Sequence, residues 1–122
     1  MKKLITTMLF LLVSLSSFAN TEDIFCAVEA AHHYKKIVVV KNFAKDKYKH
    51  CTISCIVGIE CGVASSALIG VAKEIYDVFG PGNAELEDLL ANVLGLRISR
   101  RASVTDLSSC SQACQHFYPI PH

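Results

Sequence analysis

The sequence predicts an all-α fold: a small disulfide-stapled domain of about five helices behind a cleaved signal peptide. Three observations carry that expectation. Apolar residues recur at helical spacing in several separate stretches, six cysteines follow an apolar leader, and the one β-branched run, "IVVV", has no second strand to pair with.

The leader "MKKLITTMLFLLVSLSSFAN" sets two lysines before an apolar run that is short for a membrane span, then small residues. That is the build of an export signal, with Ser17 and Ala19 forming a small-x-small cleavage site. Processing before Asn20 divides the chain into a signal peptide, residues 1–19, and a single cysteine-rich helical domain, residues 20–122. Loss of Lys2 and Lys3 leaves ten basic residues against eleven acidic ones, a formal charge of −1, so net charge gives no pull toward a polyanion. No second apolar run reaches about 18 residues.

Thr21 is placed to cap a helix over "EDIFCAVEAAHHYKK", with Glu22 and Asp23 at its positive end. "IVVVKNF" follows, as the end of that helix or as an extended linker. From about Asp46 to Glu60, Cys51, Ile53, Cys55, Ile56 and Val57 suit a helix with one buried face, which Gly62 ends or bends. "VASSALIGVAKEIYDVFG" reads as a second apolar helix, offering Ala67, Ile69, Val71, Ala72, Ile75 and Val78 to the core and stopped by Gly80-Pro81-Gly82. Asn83 is a cap for "AELEDLLANVLGLRISRR", whose acids fall early and whose arginines fall late, as the helix dipole favours. "ASVTDLSS" is a polar connection, and "SSCSQACQHFY" a short last helix stopped by Pro119.

Cys51 and Cys55 share their spacing with Cys110 and Cys114, and helix residues i and i+4 lie on one face about 6 Å apart along the axis. Two such helices side by side make two rungs. Antiparallel helices pair Cys51 with Cys114 and Cys55 with Cys110; parallel ones pair Cys51 with Cys110 and Cys55 with Cys114. The antiparallel set is the one expected, which leaves Cys26 for Cys61. Zinc held by these cysteines with His32, His33, His50 or His116 is disfavoured, because no Cys-x-x-Cys pair exists and an oxidising compartment removes the thiolates. The Cys-x-x-Cys-His of haem attachment is absent as well, and no cofactor is expected.

With the staples set aside, His50 and Ser54 stand one turn apart on one face, Glu74 and Asp77 are neighbours at i, i+3, and Asp88 and Asn92 at i, i+4. If the three helices converge, a histidine with two or three carboxylates can bind a divalent metal or act as general base on a water. A plainer account has Glu74 and Asp77 facing solvent with Lys73 bridging to Asp77. In it Glu85, Glu87 and Asp88 are surface acids complementing the helix dipole, and Asn92 fills a buried hydrogen-bonding role.

The order Lys49-His50-Cys51-x3-Cys55, Lys73-Glu74-x2-Asp77, Gly82-Asn83-Ala84-Glu85 and Asp88-Leu89-x-Ala91-Asn92-x2-Gly95 resembles a domain at the C-terminal ends of bacterial Rhs-type polymorphic-toxin proteins and in small exported proteins. The likeness runs from about Tyr48 to Gly95. It implies a bacterial exported module and singles out His50, Glu74, Asp77, Asp88 and Asn92, without supplying a reaction. The chain departs from the toxin setting in carrying its own leader and no delivery repeats.

The expected location is the periplasm or the extracellular space. The favoured function is a rigid interaction module that binds a protein partner, as an effector, inhibitor or envelope accessory. The alternative is a small hydrolase-like or toxin-like enzyme using the polar set, and a second alternative is a saposin-like lipid-binding protein. Nucleic acid is not an expected partner, since aromatic residues are not interleaved with basic ones. The lysines from Lys35 to Lys49 would suit an anionic membrane surface, although a solvated face is the commoner reason for such a run. Geometry separates the first two readings: an enzyme needs His50 within about 6 Å of Glu74, Asp77 or Asp88 in a concave site.

Overall fold

The computed structural model describes residues 2–16, 20–38, 46–79 and 86–120, and among these all regular structure is helical: α1 (Lys2–Ser16), α2 (Thr21–Ile37), α3 (Asp46–Cys61), α4 (Val63–Phe79), α5 (Leu86–Ser99) and α6 (Leu107–Phe117). Helix α3 is the hub. It buries Tyr48, Cys51, Thr52, Ser54, Cys55, Ile56, Val57, Gly58 and Cys61, and packs against α2, α4, α5 and α6, most extensively against α5. With neighbours on so many sides, α3 carries buried residues all round instead of a single apolar stripe.

Helices α3 and α5 meet closely at Gly95. A β-carbon there would stand 2.2 Å from the main-chain oxygen of Cys51 and 3.0 Å from Cβ of Ser54, so only hydrogen fits. Gly62, with φ of 95°, reverses the chain between α3 and α4 in a backbone conformation that L side chains resist. Ser66 Oγ then donates to the Ser54 carbonyl at 3.0 Å and pins α4 against α3.

Three disulfides close the fold: Cys26–Cys61, Cys51–Cys114 and Cys55–Cys110, leaving no free cysteine. The crossed order of the last two means that α3 and α6 run antiparallel. Asp106 caps α6 in a reciprocal box with Ser109, whose main-chain amide and hydroxyl hold the Asp106 carboxyl below its usual range.

Several local details differ from the sequence reading. Asn20, not Thr21, caps α2: its Oδ1 accepts from the Asp23 amide at 2.9 Å, and Thr21 is the first helical residue. In α4, Val71 is buried as expected, Leu68 joins it, and Ala72 is exposed where a core place was expected. Asp88 is buried and not a surface acid. Residues 39–45, the Gly80-Pro81-Gly82 stop and the Asn83 cap lie outside the described residues.

Helix α1 has one neighbour. It packs on α4 and on no other described helix, burying Met8, while Phe10 and Val13 remain 71 % and 68 % exposed. Among the described residues, the connected apolar core includes none of α1. No helix among the described residues is long and apolar enough to cross a membrane.

Beside the Cys26–Cys61 bond, Tyr34 of α2 donates its hydroxyl to the Glu60 carboxylate of α3. That bond, then burial, then the charge of Glu60 push the phenol up to about 12. The folded value lies above the unfolded value of about 10, so this contribution to stability is complete below pH ~10 and is lost as pH rises through about 12. Ultraviolet titration should find one late tyrosine that disappears in Tyr34→Phe; simultaneous ionisation of all tyrosines would refute the contact.

Candidate functional site

A cavity of about 450 Å³ opens between α2, α3, α4 and α5, with His50, Ser54 and Asn92 among its polar lining and Ile53, Val57 and Ile69 among its apolar lining. That volume is in the range of sites for small ligands. Lys35 and Lys49 contribute cationic groups to the lining.

The local sequence explains the aim of each group. Asp46, His50 and Ser54 succeed one another at i, i+4 along α3, so they share one face; Asp88 and Asn92 do the same on α5. The tight approach at Gly95, one turn beyond Asn92, brings the two faces together. Asn92 Oδ1 accepts from Ser54 Oγ at 3.0 Å and lies 3.2 Å from His50 Nδ1. An amide oxygen has no hydrogen to give, so Nδ1 is the donor, and in the neutral ring the other nitrogen, Nε2, carries a lone pair.

Nε2 faces two carboxylates. Nε2 is 3.4 Å from Asp46 Oδ2 and 3.5 Å from Asp88 Oδ2. The His50 and Asp88 side chains are 9 % and 4 % exposed, whereas Asp46 at the start of α3 is 47 % exposed and reaches the cavity from the solvent side. Lys47 Nζ donates to Asp88 Oδ1 at 2.6 Å, which fixes that carboxylate and turns Oδ2 toward the imidazole. Asp46, His50 and Asp88 form a set able to hold a metal ion, their ligand atoms lying within 4.8 Å of one another.

Of the five residues singled out in the sequence, His50, Asp88 and Asn92 come together. Asp77 lines the same cavity but is bound to Lys73 at 2.9 Å, as the plainer account expects. Burial opposes the charge on Lys73, yet the bond to Asp77 and the carboxylate of Glu74 outweigh it, and the ammonium pKa is raised. Glu74 is fully buried in α4, contrary to its placement in solvent, and does not line the cavity. Asp46 and Lys47 were missed. The i, i+4 spacing from Asp46 to His50 was the available signal, hidden because an acid in the first turn of a helix already has a dipolar explanation.

Comparison with family models, curated proteins and solved structures finds no match to this chain.

Proposed function

We propose that the domain is a small exported hydrolytic enzyme whose water-activating centre is His50. The observation that carries this is the oriented imidazole: Nδ1 held by Asn92, and Nε2 turned between Asp46 and Asp88 at a cavity. Burying a histidine and a carboxylate costs desolvation free energy that a purely structural core avoids. A rigid interaction module, the reading favoured from the sequence, does not account for that expense. An imidazole in this state activates water in one of two ways, by taking its proton or by holding a cation that acidifies it. Both ways require His50.

Export is supported by the apolar, outward-facing residues of α1, its seat on a single helix, and the pairing of every cysteine, which fits an oxidising compartment. One preparation tests both parts. The chain is produced with its own leader in a Gram-negative host; the exported protein should begin at Asn20 and gain six hydrogens on reduction. Wild type and His50→Ala are then compared for growth inhibition on periplasmic delivery and for turnover of p-nitrophenyl esters, phosphates and glycosides. Loss of general-base activation should lower the effect about 100-fold or more. The melt should stay cooperative, since Ser54 still donates to Asn92. An unchanged effect in a stable variant, or a loss that tracks unfolding, refutes the reading.

A further inference from the structure

We propose that Asp46 Oδ2, His50 Nε2 and Asp88 Oδ2 are the protein ligands of a divalent transition-metal cation, with the remaining coordination position open to the cavity. This deepens the hydrolytic reading by naming how its water would be activated, and it rests on that reading for its purpose though not for its geometry.

With Nδ1 donating to Asn92, His50 Nε2 and one oxygen each of Asp46 and Asp88 converge on one point. Lys47 already answers Asp88 on its other oxygen, and Lys73 is within electrostatic reach of Asp46; a positive charge set between the three atoms themselves would be one of two things. The first is a second proton on the imidazole. At 3.4 and 3.5 Å both carboxylates are within ion-pair reach but longer than the about 2.7–2.9 Å of a close charge-assisted bond. The second is a metal ion. Bonds of about 2.1 Å arranged tetrahedrally set neighbouring ligand atoms about 3.4 Å apart, which is the spacing of Nε2 from each carboxylate oxygen.

The surroundings fit a metal's outer shell. A ligating histidine characteristically donates its other ring N–H to a fixed acceptor, and Asn92 Oδ1 is that acceptor, itself held by Ser54. Asp88 receives Lys47 on Oδ1, which leaves Oδ2 for the ion. A separate sign of a ligand is the other end of Asn92. This residue is 7 % exposed, and its Nδ2 has no hydrogen-bond partner. It stands 3.0 Å from the place a β-carbon of Gly70 would take, and Gly70 and Asn92 both line the cavity. A buried donor in that position is suited to an oxygen of a bound molecule. The six cysteines, all paired, cannot compete for the ion.

A nitrogen and two carboxylate oxygens suit zinc, manganese or cobalt over softer or larger ions. An ion held there would carry a water in its open position and lower that water's pKa toward neutrality. The water's proton would pass to the other oxygen of the half-exposed Asp46 carboxylate; the hydroxide would add to an electrophilic carbon or phosphorus in the cavity, the bond from that atom to its leaving oxygen would break, and the leaving oxygen would take up the proton held by Asp46.

The test uses the oxidised full-length domain and the metal alone. Co²⁺ is titrated into metal-free protein and followed by visible absorption and calorimetry, for wild type, Asp46→Asn, His50→Ala, Asp88→Asn and a His32→Ala/His33→Ala control that removes two exposed histidines. One saturable ion per chain is expected in wild type and in the control, at least about tenfold weaker binding in Asp46→Asn, and none in the other two. Asp46 is the safeguard, because its half-exposed position lets it change without opening the core. No saturable binding by wild type, or wild-type affinity in Asp46→Asn, overturns the proposal. A His50-dependent hydrolytic effect that survives complete metal removal would overturn the cation while sparing the hydrolytic reading. Tight binding without any His50-dependent effect would do the reverse.

Discussion

Replacing Cys51, Cys55, Cys110 and Cys114 together by alanine is expected to leave the chain without a cooperative fold at 37 °C. The two rungs close loops with sequence separations of 63 and 55 residues. By the chain-entropy account, a crosslink of that span contributes about 4 kcal/mol. The second adds less, since the first has already brought the same segments together. The sum approaches the whole stability of a typical small domain, about 5–10 kcal/mol. All four cysteines are fully buried, so their removal also opens space in the core. The variant lacking only Cys55 and Cys110 should keep a cooperative melt at a reduced midpoint. Far-UV circular dichroism against temperature, with wild type alongside, reads both outcomes. A four-alanine protein melting within a few degrees of wild type would mean that α6 is held by something other than its sulfurs.

Gly95→Ala is expected to have the next largest effect. Its β-carbon would lie 2.2 Å from the Cys51 carbonyl oxygen, a main-chain atom in the middle of the most buried helix. Overpacking of this kind costs about 3 kcal/mol or more at the upper end of its range. Better helix propensity returns about 1 kcal/mol. A net loss of about 2 kcal/mol should lower the midpoint by roughly 10 °C. Because the same contact sets Asn92 against His50, the variant should also bind Co²⁺ more weakly. Gly58→Ala is the comparison: its nearest new neighbour, Ser99 Oγ at 3.0 Å, is the end of a side chain that can turn away. Equal melting of the two variants would refute the special closeness of α3 and α5.

These contrasts show which parts of the molecule could be read in the sequence. Helices and staples were legible because two cysteine pairs with one four-residue spacing allow few arrangements, and the structure has the antiparallel one. His50, Asp88 and Asn92 were legible because each polar pair has helical spacing within apolar surroundings. Glu74 and Asp77 were harder to place: three residues apart, one turns into the protein and the other lines the cavity, and only the rotation of α4 on α3 decides which. The contact of Asp46 and Asp88 with one nitrogen depends on the depth at which two helices cross, and Gly95 sets that depth without advertising its partner.

The way α6 is attached carries a consequence in time. Its only fully buried side chains are its two half-cystines. A helix docked by sulfur more than by apolar area can reach its place only after electrons have been withdrawn from the chain. In the reducing interior of a producing cell the newly made protein would resemble the four-alanine variant, with α3 unclamped on one side and His50 not yet held in register. With the export proposed above, transit across a membrane would be the step that finishes the molecule, and competence would wait on the oxidising chemistry of the destination.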